Sequence, residues 1–157
     1  MPDDLYQRDI VVWSRHQADL LRRLASGERL NEAVDWPNVI EEIEDLGRSQ
    51  LQACESLLLQ AFVHLLKLRL HPESDAVGGW RQEVAAFLTG ARREFTASMQ
   101  QLLDLQDIYK DAIRQVRAAL EDKSAIDGVT RDCPYSLADL FAEDLNVASL
   151  SHRLATP

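Results

Sequence analysis

Asp35-Trp36-Pro37-Asn38-Val39-Ile40-Glu41-Glu42-Ile43-Glu44-Asp45-Leu46-Gly47-Arg48-Ser49 is the stretch whose reading decides the fold of this 157-residue chain. Asp35 is an N-cap residue, and Pro37 stands in the first turn, where its missing N–H costs nothing. Val34 before the cap and Val39 after it are spaced for a hydrophobic staple. The acids that follow suit a helix N-terminus, where the macrodipole favours negative charge. Gly47 is the only breaker before Pro72, so the pattern predicts one long helix. Its core stripe is expected to be Ile40, Ile43, Gly47, Leu51, Cys54, Leu57, Leu58, Ala61, Leu65 and Leu68. In the front half Glu41, Asp45, Arg48, Ser49 and Gln52 form a polar back. In the rear half Leu59, Phe62, Val63 and Leu66 carry apolar surface around the cylinder.

Upstream, Tyr6, Ile10, Trp13, Gln17, Leu20 and Leu24 recur at three- and four-residue steps and predict a helix from about Asp4 to Ser26. Gly27 supplies its stop. Downstream, Pro72 and Gly78-Gly79 bracket a connection. Trp80, Val84, Phe87, Ala91, Phe95, Ser98, Leu102, Leu105, Tyr109, Ala112, Val116 and Leu120 then hold a single helical phase. That phase fits one very long helix, or two helices jointed near Thr96 to Leu103. The unbroken version leaves one end of the second helix uncovered, and a homodimer through Phe62, Leu66, Trp80 and Phe87 is the expected cover. Near the end, Ser136 with Asp139 forms a capping box and Tyr135 with Leu140 a staple, so a short helix is expected over about Leu137 to Asp144. Residues 146–157 are weakly patterned and expected to be a mobile tail. The fold class is therefore all-α: a single domain over 1–157, core about 4–145. Its architecture is a bundle of three to four long antiparallel helices with a short C-terminal helix.

Charge and composition narrow the function. A formal net charge of −9 weighs against nucleic acid as a partner, because duplex binding draws its strength from Lys and Arg on phosphates. The richest apolar run, Leu57 to Leu70, is broken by Gln60, His64, Lys67 and Arg69, so no membrane span is expected. Met1-Pro2-Asp3-Asp4 lacks the regions of a signal peptide. Cys54 and Cys133 lie far apart and form no CxxC pair. A cytoplasmic protein without cofactor is the expectation.

Several of these segments together resemble one family. Tyr6, Trp13, Gln17-Ala18 and Leu20-Leu21-Arg22 come first, then Asp35-Trp36 with Ile40 to Ser49. His64-Leu65-Leu66-Lys67, Pro72-Glu73, Trp80-Arg81 and Cys133-Pro134-Tyr135-Ser136-Leu137 continue the match. The chain is similar in these motifs, from about Tyr6 to Leu145, to the bacterial family named domain of unknown function 29. Between Phe95 and Tyr109 it departs from the pattern, lacking a Ser-Pro-like break. The resemblance implies an all-helical fold and carries no activity.

Candidate chemistry begins with the acids. Carboxylates three or four apart share a helix face and can hold Mg²⁺ when a second helix adds more, as in all-α nucleoside-triphosphate pyrophosphohydrolases. The alternative function is such a divalent-metal-dependent enzyme, with metal ligands Glu41, Glu44, Asp45, Asp104 and Asp107. The helical phases point Glu41 and Asp45 off the core stripe, and Glu44 with Arg48 forms an i,i+4 pair, which favours a solvated helix start. Glu41, Glu42 and Asp45 then form an exposed acidic face for a protein partner. No Glu-x-x-His pair of a di-iron bundle is present, and His64 is expected as a hydrogen-bonded core or dimer-edge residue. Cys54 falls in the core stripe, and Cys133 has no cationic neighbour to activate it. There is no phosphate-binding glycine loop and no GxSxG. Gln17 and Gln50 interrupt apolar stripes and need partners, through a Gln17–Gln50 or Gln17–Glu44 contact. They could also floor a small polar pocket lined by Trp13 and Trp36. The leading expectation has no catalytic residue: a non-enzymatic protein-interaction or regulatory module that self-associates.

Overall fold

The computed structural model describes residues 2–156. Among them the chain forms seven α-helices: α1 (Pro2–Arg8), α2 (Ile10–Ala25), α3 (Trp36–Leu70), α4 (Val77–Glu94), α5 (Leu105–Ala119), α6 (Leu137–Leu140) and α7 (Val147–His152). The only extended pairing among them is an isolated bridge, Val129 with Ala155. Among the described residues no helix is long and apolar enough to cross a membrane. The chain divides into two compact units, residues 1–49 and 50–157.

In the first unit the expected opening helix is two. Asp9 caps α2, its carboxylate taking the Val12 N–H at 3.0 Å, and this cap ends α1 one residue earlier. Gly27, at φ +85°, closes α2 in the left-handed region that glycine enters freely. Trp13, Leu20, Val34 and Val39 form the buried cluster, so both staple valines lie in one apolar core.

The second unit holds the main core. Cys54, Leu58, Ala61, Leu65 and Leu68 are buried along α3, as the stripe predicts from Cys54 onward. Along α3 and α4 the contacts run in opposite directions. Cys54 Sγ donates to the Ala91 carbonyl and Leu57 lies under Gly90. Further along, His64 Nε2 lies 3.0 Å from Glu83, and the His71 ring is beside Trp80. The pair is therefore antiparallel. His64 is buried, with Nδ1 2.8 Å from the Gln60 carbonyl.

The segment after α4 is jointed. Phe95 and Thr96 are extended, Ala97–Gln101 is a 3₁₀ turn, and Asp104 caps α5 through the Asp107 N–H at 3.0 Å. The helical phase continues across this break because both helices line the same core.

The end of the chain corrects two expectations. Phe62 and Leu66 are fully buried within the chain, so they cannot form the dimer surface assigned to them. Their cover comes from the C-terminal half: Tyr109 meets Phe62 edge-on at 5.8 Å and Tyr135 stacks on it at 5.7 Å. The expected tail carries α7, capped by Asn146 on the Ser149 N–H at 2.9 Å, with Leu150 and Leu154 in the core. The Ser136–Asp139 capping box forms, on a helix that stops at Leu140 rather than Asp144.

Candidate functional site

Asp35 is the polar centre of the first unit. Its Oδ2 accepts from Trp13 Nε1 at 3.0 Å and from Asn38 Nδ2 at 2.7 Å. Its backbone N–H donates to Gln17 Oε1 at 2.9 Å. The Asn38 amide, helped by the Trp13 indole, holds the Asp35 carboxyl below its ordinary range, against the opposing effect of desolvation. Alongside, the Tyr6 hydroxyl donates to Glu42 Oε1 at 2.7 Å, and the Tyr6 ring meets Trp13 edge-on at 4.8 Å. The Glu42 hydrogen bond, with desolvation and the charges of Glu42, Glu41 and Asp45, pushes Tyr6 up to about 12. Tyr6, Trp13, Gln17, Asp35 and Glu42 thus tie α1, α2 and the start of α3 together.

Gln17 finds its partner in the backbone of Asp35, not in Gln50 or Glu44. A β-capable backbone N–H just outside a helix has no intrahelical acceptor, and a buried amide oxygen supplies one. Of the four residues assigned to a polar pocket, Trp13 and Gln17 are buried and share Asp35. Trp36 is half exposed. Gln50 is exposed, belongs to the second unit, and donates to the Glu94 carbonyl at 3.3 Å. Among the described residues no buried side-chain polar atom lacks a partner.

The front of α3 is turned from its expected orientation. Trp36 is 52% exposed, Ile40 53%, Ile43 66% and Leu46 74%. Val39 is buried, and Glu42 and Asp45 are half-buried. Packing of Val39 with Trp13 and Leu20, and the grip of Tyr6 on Glu42, set this rotation. Ile40 and Ile43 follow Val39 and Glu42 by one residue each, about 100° further round the helix. Glu41 and Glu44 are exposed beside the ridge, and Arg48 pairs with Asp45 at 2.6 Å rather than with Glu44.

Asp104 and Asp107 line a groove of about 510 Å³ in the second unit, with Glu55 and Asp111. Glu41, Glu44 and Asp45 belong to the first unit. Asp104 is occupied in capping α5, a signal present in the sequence as Asp104-Leu-Gln-Asp107. Among the described residues no group of three or more His, Cys, Asp or Glu is placed to hold a metal ion. Burial pushes both thiols, Cys54 and Cys133, above their ordinary value, away from the reactive thiolate.

A profile of the family described as "Domain of unknown function DUF29" matches residues 5–145, and the chain belongs to that family. A solved structure from Rhodospirillum rubrum, an alpha-helical protein of unknown function, is similar at 30% identity with a TM-score of 0.69. The match covers 96% of this chain and 98% of that one. No curated protein matches.

Proposed function

We propose that this member of the family is a non-enzymatic interaction module that self-associates through the exposed ridge of α3. The row Trp36, Ile40, Ile43 and Leu46 carries the reading: four large apolar side chains, each more than half exposed, along one face of one helix. Single exposed apolar residues are ordinary, whereas a continuous row marks an interaction surface. The four- and three-residue steps from Trp36 to Ile43 suit a helix-to-helix seam. Gly47 continues it, and a Cβ built there would meet nothing within 4 Å, so a second helix has room to approach.

The occupant that fits is a second copy, antiparallel. Glu41 and Glu44 flank the ridge at its N-terminal side and Arg48 lies beyond them on the same flank. A two-fold axis across the ridge brings Arg48 of one copy towards Glu41 of the other, which makes the surface self-complementary. The ridge supplies roughly 400 Å² per copy, about half of a standard interface side, so the association is reversible. The free thiols Cys54 and Cys133 suit a reducing cytoplasm.

Size-exclusion chromatography with light scattering tests this. The wild-type chain is expected to move from monomer to dimer as its concentration rises to about 100 µM. Ile40→Glu/Ile43→Glu is expected to stay monomeric with an unchanged melting temperature, since both side chains are exposed. A wild-type monomer throughout that range, or a dimer kept by the double variant, refutes the reading.

A further inference from the structure

Five cations gather on one side of the second unit, and among the described residues none of them is in an ion pair with a carboxylate. Lys110, Arg114 and Arg117 follow at four- and three-residue steps and share one face of α5. Lys123 belongs to the 3₁₀ turn Lys123–Gly128, and Arg131 to the segment after it. Between them they line two grooves, of about 350 and 400 Å³, that share Lys110, Ile113 and Arg117. Among the described residues the ion pairs of this unit lie elsewhere, at His64–Glu83, Arg92–Glu143 and Arg153–Asp139. Asp127 is the one carboxylate lining either groove, and it joins none of the five in an ion pair.

The chain has 26 acids to 17 lysines and arginines, so five cations around a single carboxylate that pairs with none of them are out of keeping with its composition. Arg117 has a structural reason for its place, in the last turn of α5 where the macrodipole favours a cation. That reason does not reach Lys110 in the second turn or Arg131 in a loop. The floor between the cations is aliphatic: Ile113 half-buried, Ile126 and Val129 buried.

We propose that this groove docks an acidic segment of a partner protein. Aliphatic anchors of that segment lie on Ile113, Ile126 and Val129, and its carboxylates meet the surrounding lysines and arginines. Guanidinium groups take carboxylates through paired hydrogen bonds, and three of the five cations are arginines. The lining favours a peptide over a nucleic acid, because neither groove carries an aromatic side chain on which a base could stack. Charge favours the same choice. A long polyanion meets the negative field of the whole chain, whereas a short segment responds to charges within about 10 Å at 0.1 M salt. This surface lies in the second unit and its occupant does not depend on the α3 ridge.

Fluorescence anisotropy on the full chain tests the proposal with three labelled probes. One is a peptide of Glu, Asp, Ile and Leu, one a peptide of equal charge with Ser in place of Ile and Leu, and one a single-stranded oligonucleotide. The first is expected to bind saturably at about 0.05 M salt and to weaken at about 0.3 M. Arg114→Gln/Arg117→Gln, at exposed positions, is expected to weaken it about tenfold. Ile113→Ser weakens the first probe towards the second. A circular dichroism melt confirms that each variant is folded, and if Ile113→Ser is not, the comparison of the two peptides carries the apolar claim. Failure to saturate at low salt overturns the proposal, as does equal affinity of the arginine variant. Equal binding of the two peptides, or tighter binding of the oligonucleotide, overturns it as well.

Discussion

The Trp13 indole donates to the Asp35 carboxylate at 3.0 Å, across 22 residues of chain, and joins the first turn of α2 to the start of α3. Both partners are buried, so removing one leaves the other with a desolvation cost. Asp35→Ala is expected to destabilise the fold by about 1–3 kcal/mol, because Trp13 and Asn38 lose an acceptor together. Trp13→Phe keeps most of the apolar bulk and removes the donor. The double variant should cost less than the sum of the two. Urea unfolding followed by circular dichroism measures all three, and strict additivity would deny that the contact links them.

The same carboxylate makes stability depend on acid. Its folded-state pKa is depressed, so its contribution is fully present above the ordinary aspartate value of about 3.9 and is lost as pH falls through the lower folded value. Asp139 is shifted the same way by the Ser136 cap, so the C-terminal capping box weakens over the same range. The urea midpoint is therefore expected to fall steeply below pH 4. Asp35→Asn should flatten part of that fall, and an unchanged slope in this variant counts against the assignment.

Local signals were legible where chemistry alone decides them. The Asp35 start, the Val34–Val39 pair, the Ser136–Asp139 box and the stop at Gly27 all form from neighbours in sequence. Rotation of the front of α3 was not legible. Val39-Ile40 and Glu42-Ile43 offer two stripes one residue apart, and the choice is made by Tyr6, Trp13 and Leu20 far away in the chain. Three caps could have been found: Asp9, Asp104 and Asn146 each stand three residues before the N–H they accept. A continuous apolar phase hid the breaks made by Asp9 and Asp104, and weak patterning after Asn146 hid the helix that it starts. The cover of Phe62 and Leu66 is a long-range fact, and no spacing in α3 announces Tyr135.

Two glycines separate propensity from packing. Gly47 lies in α3 with open space where its Cβ would be, so Gly47→Ala is expected to stabilise the monomer by about 0.5–1 kcal/mol. A Cβ on Gly90 would lie 3.2 Å from Leu57 Cδ1, and Gly90→Ala is expected to gain little because the helical benefit is spent shifting Leu57. Gly90→Val adds bulk in the same place and should cost about 1–3 kcal/mol. Thermal melts order them Gly47→Ala, Gly90→Ala, Gly90→Val from most to least stable. A large gain at Gly90 would show that the two helices pack less closely.

All three tyrosines of the sequence have their hydroxyl protons engaged: Tyr6 by Glu42, Tyr109 by the Thr130 carbonyl and Tyr135 by the Leu150 carbonyl. Desolvation is the main cause for Tyr109 and Tyr135, and the Glu42 bond for Tyr6. Each folded pKa is raised, so the stabilising effect is complete below the ordinary value of about 10 and is lost as pH rises above it. Spectrophotometric titration of the native chain should show little phenolate at pH 10. Tyr6 is expected first, near 12, with the other two following only as the chain unfolds. A step centred at the ordinary value would mean that a hydroxyl is free.

Tyr135 and Leu150 settle whether the end of the chain is part of the core. The Tyr135 hydroxyl donates to the Leu150 carbonyl at 2.6 Å while its ring stacks on Phe62, so one side chain joins α7 to the C-terminal half of α3. Leu154, fully buried, closes the same region, and the Thr130 N–H donates to its carbonyl at 2.9 Å. Tyr135→Phe keeps the stacking and removes one of the two donors to the Leu150 carbonyl, which retains the Arg153 N–H at 3.2 Å, for an expected loss of about 0.5–1.5 kcal/mol. Leu154→Ala removes buried volume and should cost about 2–5 kcal/mol. Truncation after Leu145 takes away α7, Leu150 and Leu154 together, and with them the acceptor of the Tyr135 hydroxyl and the packing of α7 on α4. The second unit is then expected to lose its cooperative melt and bind a hydrophobic dye. If the truncated chain melts as sharply as the full one, the C-terminal segment only rests on a core that is complete without it.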